Sequence, residues 1–262
     1  MKISIVTLSL NQRAYLKEAI DSVLSQGYQG LEYIVVDPGS TDGSRELIKS
    51  YGDRITHSLF EPDRGAADGL NKGFSRATGD IYGFLNADDL LFPGSLQLVA
   101  DFFEAQPECD MVLGDGYTID CRGRKIRRYK ARDFSTHRFF YGGSRWLQQA
   151  TFIRAGAYLR SPRFNLENRT CWDGELFINI ANQGAKIGYL HADLAGFRIH
   201  DGSITGTGRL NHQYLKDHRR IFRQVHGHDW RAMDHLLRLL YRAEGFLKSL
   251  GKDPQPRPGK NL

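Results

Sequence analysis

The chain has 262 residues, 40% of them hydrophobic and 25% charged, with a formal net charge of +6. These proportions fit an ordinary soluble globular protein with chain enough for a substantial core, and they exclude fibrous and low-complexity classes. No apolar run approaches the roughly 20 residues that a membrane-spanning helix needs. No basic and apolar leader precedes the first strand. Cys109, Cys121 and Cys171 are unclustered, which fits a reducing compartment better than a disulfide framework, so a cytoplasmic location is expected.

Lys2 to Leu8 (KISIVTL) reads as a β-branched strand. From Ala14 to Gln26 the apolar residues Leu16, Ala19, Ile20, Val23 and Leu24 recur at helical spacing, with Gly27 as a stop. Leu31 to Val36 is a second strand, ending at Asp37. PGSTDGS is turn chemistry, after which Ser44 or Asp42 caps a helix that presents Leu47, Ile48 and Tyr51. Ile55 to Phe60 makes a third strand, Ala66 to Ala77 a helix with Leu70 and Phe74 inward, and Ile81 to Leu85 a fourth strand running into FLNADDL. Ser95 to Ala105 is another amphipathic helix, stopped by Pro107. Beyond it the pattern loosens into short strands at Met111 to Gly114, Tyr117 to Asp120 and Arg124 to Tyr129. A helix is predicted from Asp173 to Asn182, with Gly184 as its C-cap, then strands near Lys186 to His191 and Ala195 to Ile199. From Asn211 the chain turns helical and basic, and the proline-bearing stretch from Asp253 to Leu262 reads as a loose tail.

Strands that alternate with helices predict right-handed βαβ units, a parallel sheet, and ligands at the carboxyl ends of its strands. The expected fold class is α/β, a Rossmann-like and mostly parallel sheet with helices on both faces and a C-terminal helical appendage. Asn11, Asp37, Asp63 and Asp88 fall at successive strand ends, which argues for one shared site. Asp88 and Asp89 pose the sharpest question, because adjacent carboxylates repel each other and resist burial. A solvated turn before Pro93 is one answer. The other is a hard cation such as Mg²⁺ or Mn²⁺, held by one or two carboxylates and completed by phosphate oxygens. Dinucleotide, P-loop and serine-hydrolase readings lose their support, since GxGxxG after the first strand, GxxxxGK[ST] and GxSxG are all lacking.

Several segments together resemble the inverting family 2 glycosyltransferases, which have the GT-A fold: SIVTLSLNQRAYLKEAIDSVLSQGY, LEYIVVDPGSTDGSRELI, EPDRGAADGLNKGFSRATGDIYGFLNADD, WDGEL and FRIHDGSIT. The resemblance spans roughly residues 2 to 205. It implies transfer of a sugar from a nucleoside diphosphate donor, commonly UDP-linked, with a divalent metal and inversion at the anomeric carbon. It also implies a catalytic domain over 1–205, split into a nucleotide-sugar half (1–110) and an acceptor half (111–205), then a basic helical region (206–252) and a flexible tail (253–262).

Carried over residue by residue, Thr7, Ser9 and Asn11 match the exit from strand one that lines the nucleoside pocket. Asp37 matches the first position of the acidic pair that reads base and ribose, while Pro38 stands at the second. Asp63, Asp68, Asn71 and Lys72 lie in the block that faces the nucleotide, with Lys72 as readily a solvated helix residue. Asn86-Ala87-Asp88 corresponds to the DxD motif, with Asp88 as metal ligand, and an amide at 86 that can still meet a ribose hydroxyl or a metal-bound water. Asp89 is assigned to turn shaping or an outer contact. Asp173 matches the catalytic base and competes with a plain helix-cap role, and Glu175 is the second candidate or an acceptor contact. Arg198 or His200 is placed near the diphosphate, with His200 also a candidate metal ligand. Gln149, Trp146 and Trp172 lie on the acceptor side, where the aromatic rings serve as sugar platforms or as core.

Between Lys216 and Lys248, apolar positions alternate with many arginines and lysines, which suits either packing against the catalytic domain or a dimer mate, or contact with an anionic bilayer near a lipid-linked acceptor. Nucleic-acid binding finds no motif. The rival functions are a sugar-1-phosphate nucleotidyltransferase, whose glycine-rich basic loop SLNQRAY lacks, and a catalytically silent binding module, which both Asp88 and Asp173 argue against.

Overall fold

Strand β1 (Ile3–Leu8) is buried on both faces, as a strand with parallel neighbours and helices above and below must be. The computed structural model describes residues 1–203 and 210–250. In it β1 pairs in parallel with β2 (Leu31–Val36) and β4 (Ile81–Asn86), and β3 (His57–Leu59) extends the sheet beyond β2. Helices α1 (Arg13–Leu24), α2 (Ser44–Ser50) and α3 (Ala66–Phe74) make the crossovers. Leu8 stands in register with both Val36 and Asn86, so three strands end at one level. Ser9, Asp37 and Ala87 therefore emerge together, and the residues after them share one rim.

The sheet continues as β3-β2-β1-β4-β8-β6-β9-β5, with β7 also on β6. These strands are β5 (Leu90–Leu91), β6 (Met111–Ile119), β7 (Lys125–Tyr129), β8 (Thr151–Arg154) and β9 (Ile187–Arg198). β8 runs antiparallel to both β4 and β6, whereas β9 is parallel to β6. The two short strands predicted at 111–114 and 117–120 are one continuous β6, carried through register shifts around Asp115. Gly114 and Gly116 permit that irregularity, because a Cβ at either would fall 2.3 to 2.4 Å from Leu194 or the Ala195 carbonyl. The strands predicted at 186–191 and 195–199 likewise fuse into β9. The third strand is shorter than predicted, His57–Leu59 in place of Ile55 to Phe60, and a 3₁₀ turn at Gly52–Arg54 precedes it. Helices α5 (Thr136–Tyr141) and α6 (Ala155–Arg160), and strand β8, had no counterpart in the sequence reading. At four to six residues each they are too short for periodicity to reveal.

Helices α1, α2 and α4 (Ser95–Ala105) cover one face of the sheet with Leu16, Ile20, Ile48, Leu96 and Phe103. Helices α3, α6 and α7 (Trp172–Asn182) cover the other with Leu70, Phe74, Tyr158, Leu176 and Phe177. The C-terminal helices α8 (Asn211–His226) and α9 (Ala232–Leu250) join this second core. Phe222 is fully buried, stacked on Trp230 at 4.5 Å and edge-on to Phe140 at 5.2 Å. Asp234 accepts a 2.7 Å hydrogen bond from the Tyr141 hydroxyl. Packing against the rest of the chain is thus how these helices use their inner faces, while Met233, Leu236, Leu239 and Leu240 of α9 stay exposed. The predicted tail 253–262 and the boundary at 205/206 lie outside the described residues.

Phe222→Ala should cost about 3–5 kcal/mol of unfolding free energy, the usual range for emptying a buried aromatic site. Denaturant unfolding followed by circular dichroism would measure it, and a loss below about 1 kcal/mol would contradict the packing of α8 described here.

Candidate active site

Over the level ends of β1 and β4 the chain leaves a cleft of about 670 Å³, within the range of ordinary ligand pockets. Ser9, Asp63, Asn86, Ala87 and Asp88 line it from the first half of the sequence, and Trp146, Gln149, Trp172 and Asp173 from the second.

The floor is organised by Asp89, which has no exposure. One of its oxygens accepts the Arg198 amide at 2.8 Å, and the other accepts the side-chain amides of Gln149 at 2.7 Å and Asn86 at 3.1 Å. Burial and the neighbouring Asp88 push its carboxyl above the ordinary range, and the three donors act in the opposite sense. Asn86 thereby acquires a physical reason. An aspartate there would set a third carboxylate against Asp88 and Asp89, whereas the amide donates its N–H to Asp89 and has its oxygen free to accept.

Because Asp89 is turned inward, Asp88 is turned to the cleft. Its Oδ2 lies 3.1 Å from Nε2 of His200, and the His200 ring packs against Tyr15 at a centroid distance of 4.6 Å. Nδ1 of His200 accepts the Gly202 amide at 3.2 Å, which puts the ring proton on Nε2, facing Asp88. Across the cleft, Asp173 opens helix α7. Burial raises its pKa above the ordinary carboxylate value, against hydrogen bonds from backbone amides, including that of Gly174, and from the Trp146 side chain. Its neighbour Glu175 has the opposite fate. It is 1% exposed, pairs with Arg220 of α8 at 2.6 Å, and accepts from Asn165 and Asn168 at 2.9 and 2.6 Å. Despite its burial, those partners hold its pKa low. Glu175 is committed to holding α8 against α7, so as second candidate for the base or as an acceptor contact it is corrected to a structural ion pair.

Several other predicted site residues build the rim without facing the cleft. Thr7 is buried and accepts from the Tyr33 hydroxyl at 3.0 Å. Asn11, at φ 53°, accepts the Thr41 amide at 2.9 Å and donates its own to Ser40. Asp37 is fully buried and spends both oxygens on Gly39 and Ser40. Asp68 accepts the Arg64 amide at 3.0 Å, and Lys72 donates to the Pro62 carbonyl, so both brace the loop between β3 and α3. Asn71 ties that helix to Phe164 and Tyr158. Arg198, predicted beside the diphosphate, is wholly buried beneath the site. Its guanidinium bonds Glu18 at 2.6 Å and the carbonyls of Asp88, Asp120 and Cys121, and lies over Tyr15. That placement corrects the expectation: Arg198 fixes the carbonyl behind Asp88. Gln149, though it lines the cleft, spends its amide on Asp89.

Sequence reasoning missed Arg64 and Arg169, the two cationic side chains of the cleft wall. Arg169 donates to the Arg64 carbonyl, and its own amide and the neighbouring Thr170 hydroxyl are held by Asp217 of α8. Gly65, at φ 121°, lets the loop pass beneath it, since a Cβ there would come within 2.9 Å of the Arg169 guanidinium. Loop residues without periodicity leave no local signal for this.

Among the described residues no three His, Cys, Asp or Glu side chains gather as a metal cage. Asp88 and His200 nevertheless fit a Mg²⁺ or Mn²⁺ ion that takes most of its ligands from phosphate and water. Their 3.1 Å separation is close to the roughly 3 Å between adjacent ligands of a six-coordinate ion of this size, and Nε2 would have to give up the proton that faces Asp88 to serve as a ligand.

Residues 4–163 match the family described as Glycosyl transferase family 2. An uncharacterized glycosyltransferase of Nostoc sp. is 35% identical over 46% of this chain and 40% of its own length. One from Rickettsia typhi is 26% identical over 78% of the chain and 66% of its own, so the chain spans two thirds or less of these relatives. A PGL/p-HBAD biosynthesis glycosyltransferase of Mycobacterium bovis is 29% identical over 76% and 77%. Among solved structures, S. aureus TarS in complex with UDP-GlcNAc superposes with a TM-score of 0.70 at 18% identity, covering 96% of this chain and 73% of that one. The mannosyltransferase PcManGT from Pyrobaculum calidifontis, in complex with GDP-Man and Mn²⁺, gives 0.64 at 17%, covering 94% and 69%.

The two carboxylates of α7 should answer opposite to each other in stability. Glu175→Gln leaves Arg220 without its counter-charge and should cost about 2–3 kcal/mol. Asp173→Asn should be neutral or stabilising, and its advantage over the wild type should grow as pH rises from below the ordinary carboxylate range through the raised pKa of Asp173, then level off. Urea unfolding across pH measures both, and a destabilised Asp173→Asn at neutral pH would refute the account of its burial.

Proposed function

The chain belongs to glycosyl transferase family 2 and has the α/β GT-A fold, and on that premise we propose that it moves a sugar from a nucleoside diphosphate donor, UDP-linked in the first instance, to an acceptor hydroxyl with inversion. The observation that carries the reading is the pairing of Asp88 with His200 on one side of the cleft and the raised carboxylate of Asp173 on the other. The donor lies over the ends of β1 and β4, with its nucleoside toward Ser9 and Asp63 and its diphosphate toward Asp88. Asp173 takes the proton of the acceptor hydroxyl as that oxygen bonds to the anomeric carbon, and the nucleoside diphosphate leaves from the opposite face. Asp88, with His200, would hold a divalent cation, which would supply Lewis-acid neutralisation of charge at the leaving diphosphate. The raised pKa of Asp173 suits this role, because a carboxylate that holds its proton more tightly is the stronger base. Trp146 and Trp172 offer ring faces to the acceptor sugar. Residues 1–205 would form the catalytic unit, with 1–110 carrying the donor side and 111–205 the acceptor side.

A panel of nucleotide sugars, with and without Mn²⁺, tests the reading through release of nucleoside diphosphate. At least one donor should be turned over in a metal-dependent way, and none being so would overturn it. Asp173→Asn should lower transfer by roughly two to four orders of magnitude with little change in donor affinity. In the wild type, kcat/KM should fall on the acid side through a pKa above the ordinary aspartate value. Full transfer by Asp173→Asn would remove Asp173 from the role.

No helix among the described residues is long and apolar enough to cross a membrane. The exposed Met233, Leu236, Leu239 and Leu240 of α9, flanked by Arg231, Arg238 and Arg242, support peripheral contact with an anionic bilayer, near a glycan or lipid-linked acceptor. Leu236→Ser/Leu240→Ser should then lose co-sedimentation with phosphatidylglycerol vesicles. Equal sedimentation of variant and wild type would refute it.

A further inference from the structure

Beside the cleft wall formed by Tyr129 and Trp146, three arginines converge. Arg132 and Arg145 oppose each other across an isolated antiparallel bridge and exchange both backbone hydrogen bonds, at 3.0 and 3.1 Å. Residues paired in this way project their side chains to the same side, with Cβ atoms about 5 Å apart. Arg127 of β7 lies over the Tyr129 ring, its guanidinium carbon 5.5 Å from the centroid. Burial, Arg132 and then Arg127 together depress the pKa of Arg145.

The cluster has little to neutralise it. Asp115 and Asp193 are taken by Arg128, and Asp120 by Arg124. Asp133 comes no nearer than 3.9 Å to Nε of Arg132, and that nitrogen is buried with no hydrogen-bond partner. Among the described residues, no acidic side chain forms an ion pair with Arg127 or Arg145. Like charges set directly opposite each other destabilise a strand pair. The arrangement gains a rationale when an anion bridges the guanidinium groups, whose planar forks match phosphate.

We propose that Arg127, Arg132 and Arg145 bind a phosphate or diphosphate group carried by the acceptor, next to a sugar seated against Trp146. This rests on the reading of the cleft as a glycosyl-transfer site. The donor's own diphosphate belongs with Asp88 at the strand ends, so the arginine cluster is a second anion subsite on the acceptor side. A lipid-linked sugar diphosphate and a soluble sugar phosphate share the chemistry that it recognises.

The full chain, kept in EDTA, is titrated by calorimetry with inorganic pyrophosphate, geranyl diphosphate and glucose 1-phosphate. Pyrophosphate should bind, more weakly at high salt. The double variant Arg132→Gln/Arg145→Gln should weaken it at least roughly tenfold, as expected for loss of charge-assisted bonds. Arg76→Gln, on the exposed surface past the far end of α3, should bind like the wild type. Geranyl diphosphate binding more tightly than pyrophosphate assigns the group to a lipid carrier, and glucose 1-phosphate binding more tightly assigns it to a soluble sugar phosphate. Relief of repulsion should leave the Tm of the double variant no lower than wild type. Arg127→Gln, at an exposed position, gives a second measure of affinity loss that is independent of folding. Pyrophosphate binding that is absent in the wild type, or equal in wild type and both arginine variants, overturns the proposal. Intact pyrophosphate binding without turnover of any donor would retire the transferase reading alone, and turnover without pyrophosphate binding would retire this subsite alone.

Discussion

Asp89 sits without exposure where three distant stretches of chain meet: the end of β4 through Asn86, the turn before β8 through Gln149, and the end of β9 through the Arg198 amide. A buried carboxyl group is costly unless it is hydrogen-bonded, so each of these donors is constrained in place by the oxygen that it serves. Arg198 adds a second layer, joining the Asp88 carbonyl to Glu18 of α1. The outward direction of Asp88 follows from this knot. With Asp89 fixed inward and the Asp88 carbonyl fixed behind, the Asp88 carboxylate is left facing His200 and the cleft. A pair of adjacent acids between apolar segments is thereby divided into one structural and one available group.

The parts legible in the sequence were those with a local signature. The alternation of β-branched runs with amphipathic helices over the first hundred residues yields the parallel strands and their crossovers, and polar residues at the strand ends mark the rim. What stayed hidden is long-range. Whether Asn71 or Arg198 faces a ligand or a neighbouring loop depends on partners tens to more than a hundred residues away, and residue type alone is compatible with either. The same applies to Arg64 and Arg169, which share a wall although 105 residues separate them. Short elements such as α5 and β8 hold too few residues for a period to emerge.

Helix α7 shows how one turn of chain serves two ends. Asp173 is desolvated with few partners, and Glu175, two residues on, is desolvated with several. The first arrangement leaves a carboxylate that takes up a proton more readily, and the second leaves one that is fixed as an anion. The Arg220 that satisfies Glu175 comes from α8, and Asp217 on the same helix holds the loop carrying Arg169 and Thr170. Helix α8 therefore shapes the cleft wall without lining it.

The order of the strands sets a limit on how the chain can be divided. Strand β9 arises late in the sequence yet lies between β6 and β5, inside the sheet. The stretch that carries the family match stops at residue 163, before β9, Asp173 and His200 have been reached. A fragment cut at that point would expose the edge of β6 and leave Asp89 without its Arg198 donor, so the matched stretch by itself lacks part of the sheet and of the floor of the cleft. Exchange of the second half between relatives would have to carry β9 along with its matching β6, which ties divergence there to the integrity of the floor beneath Asp88.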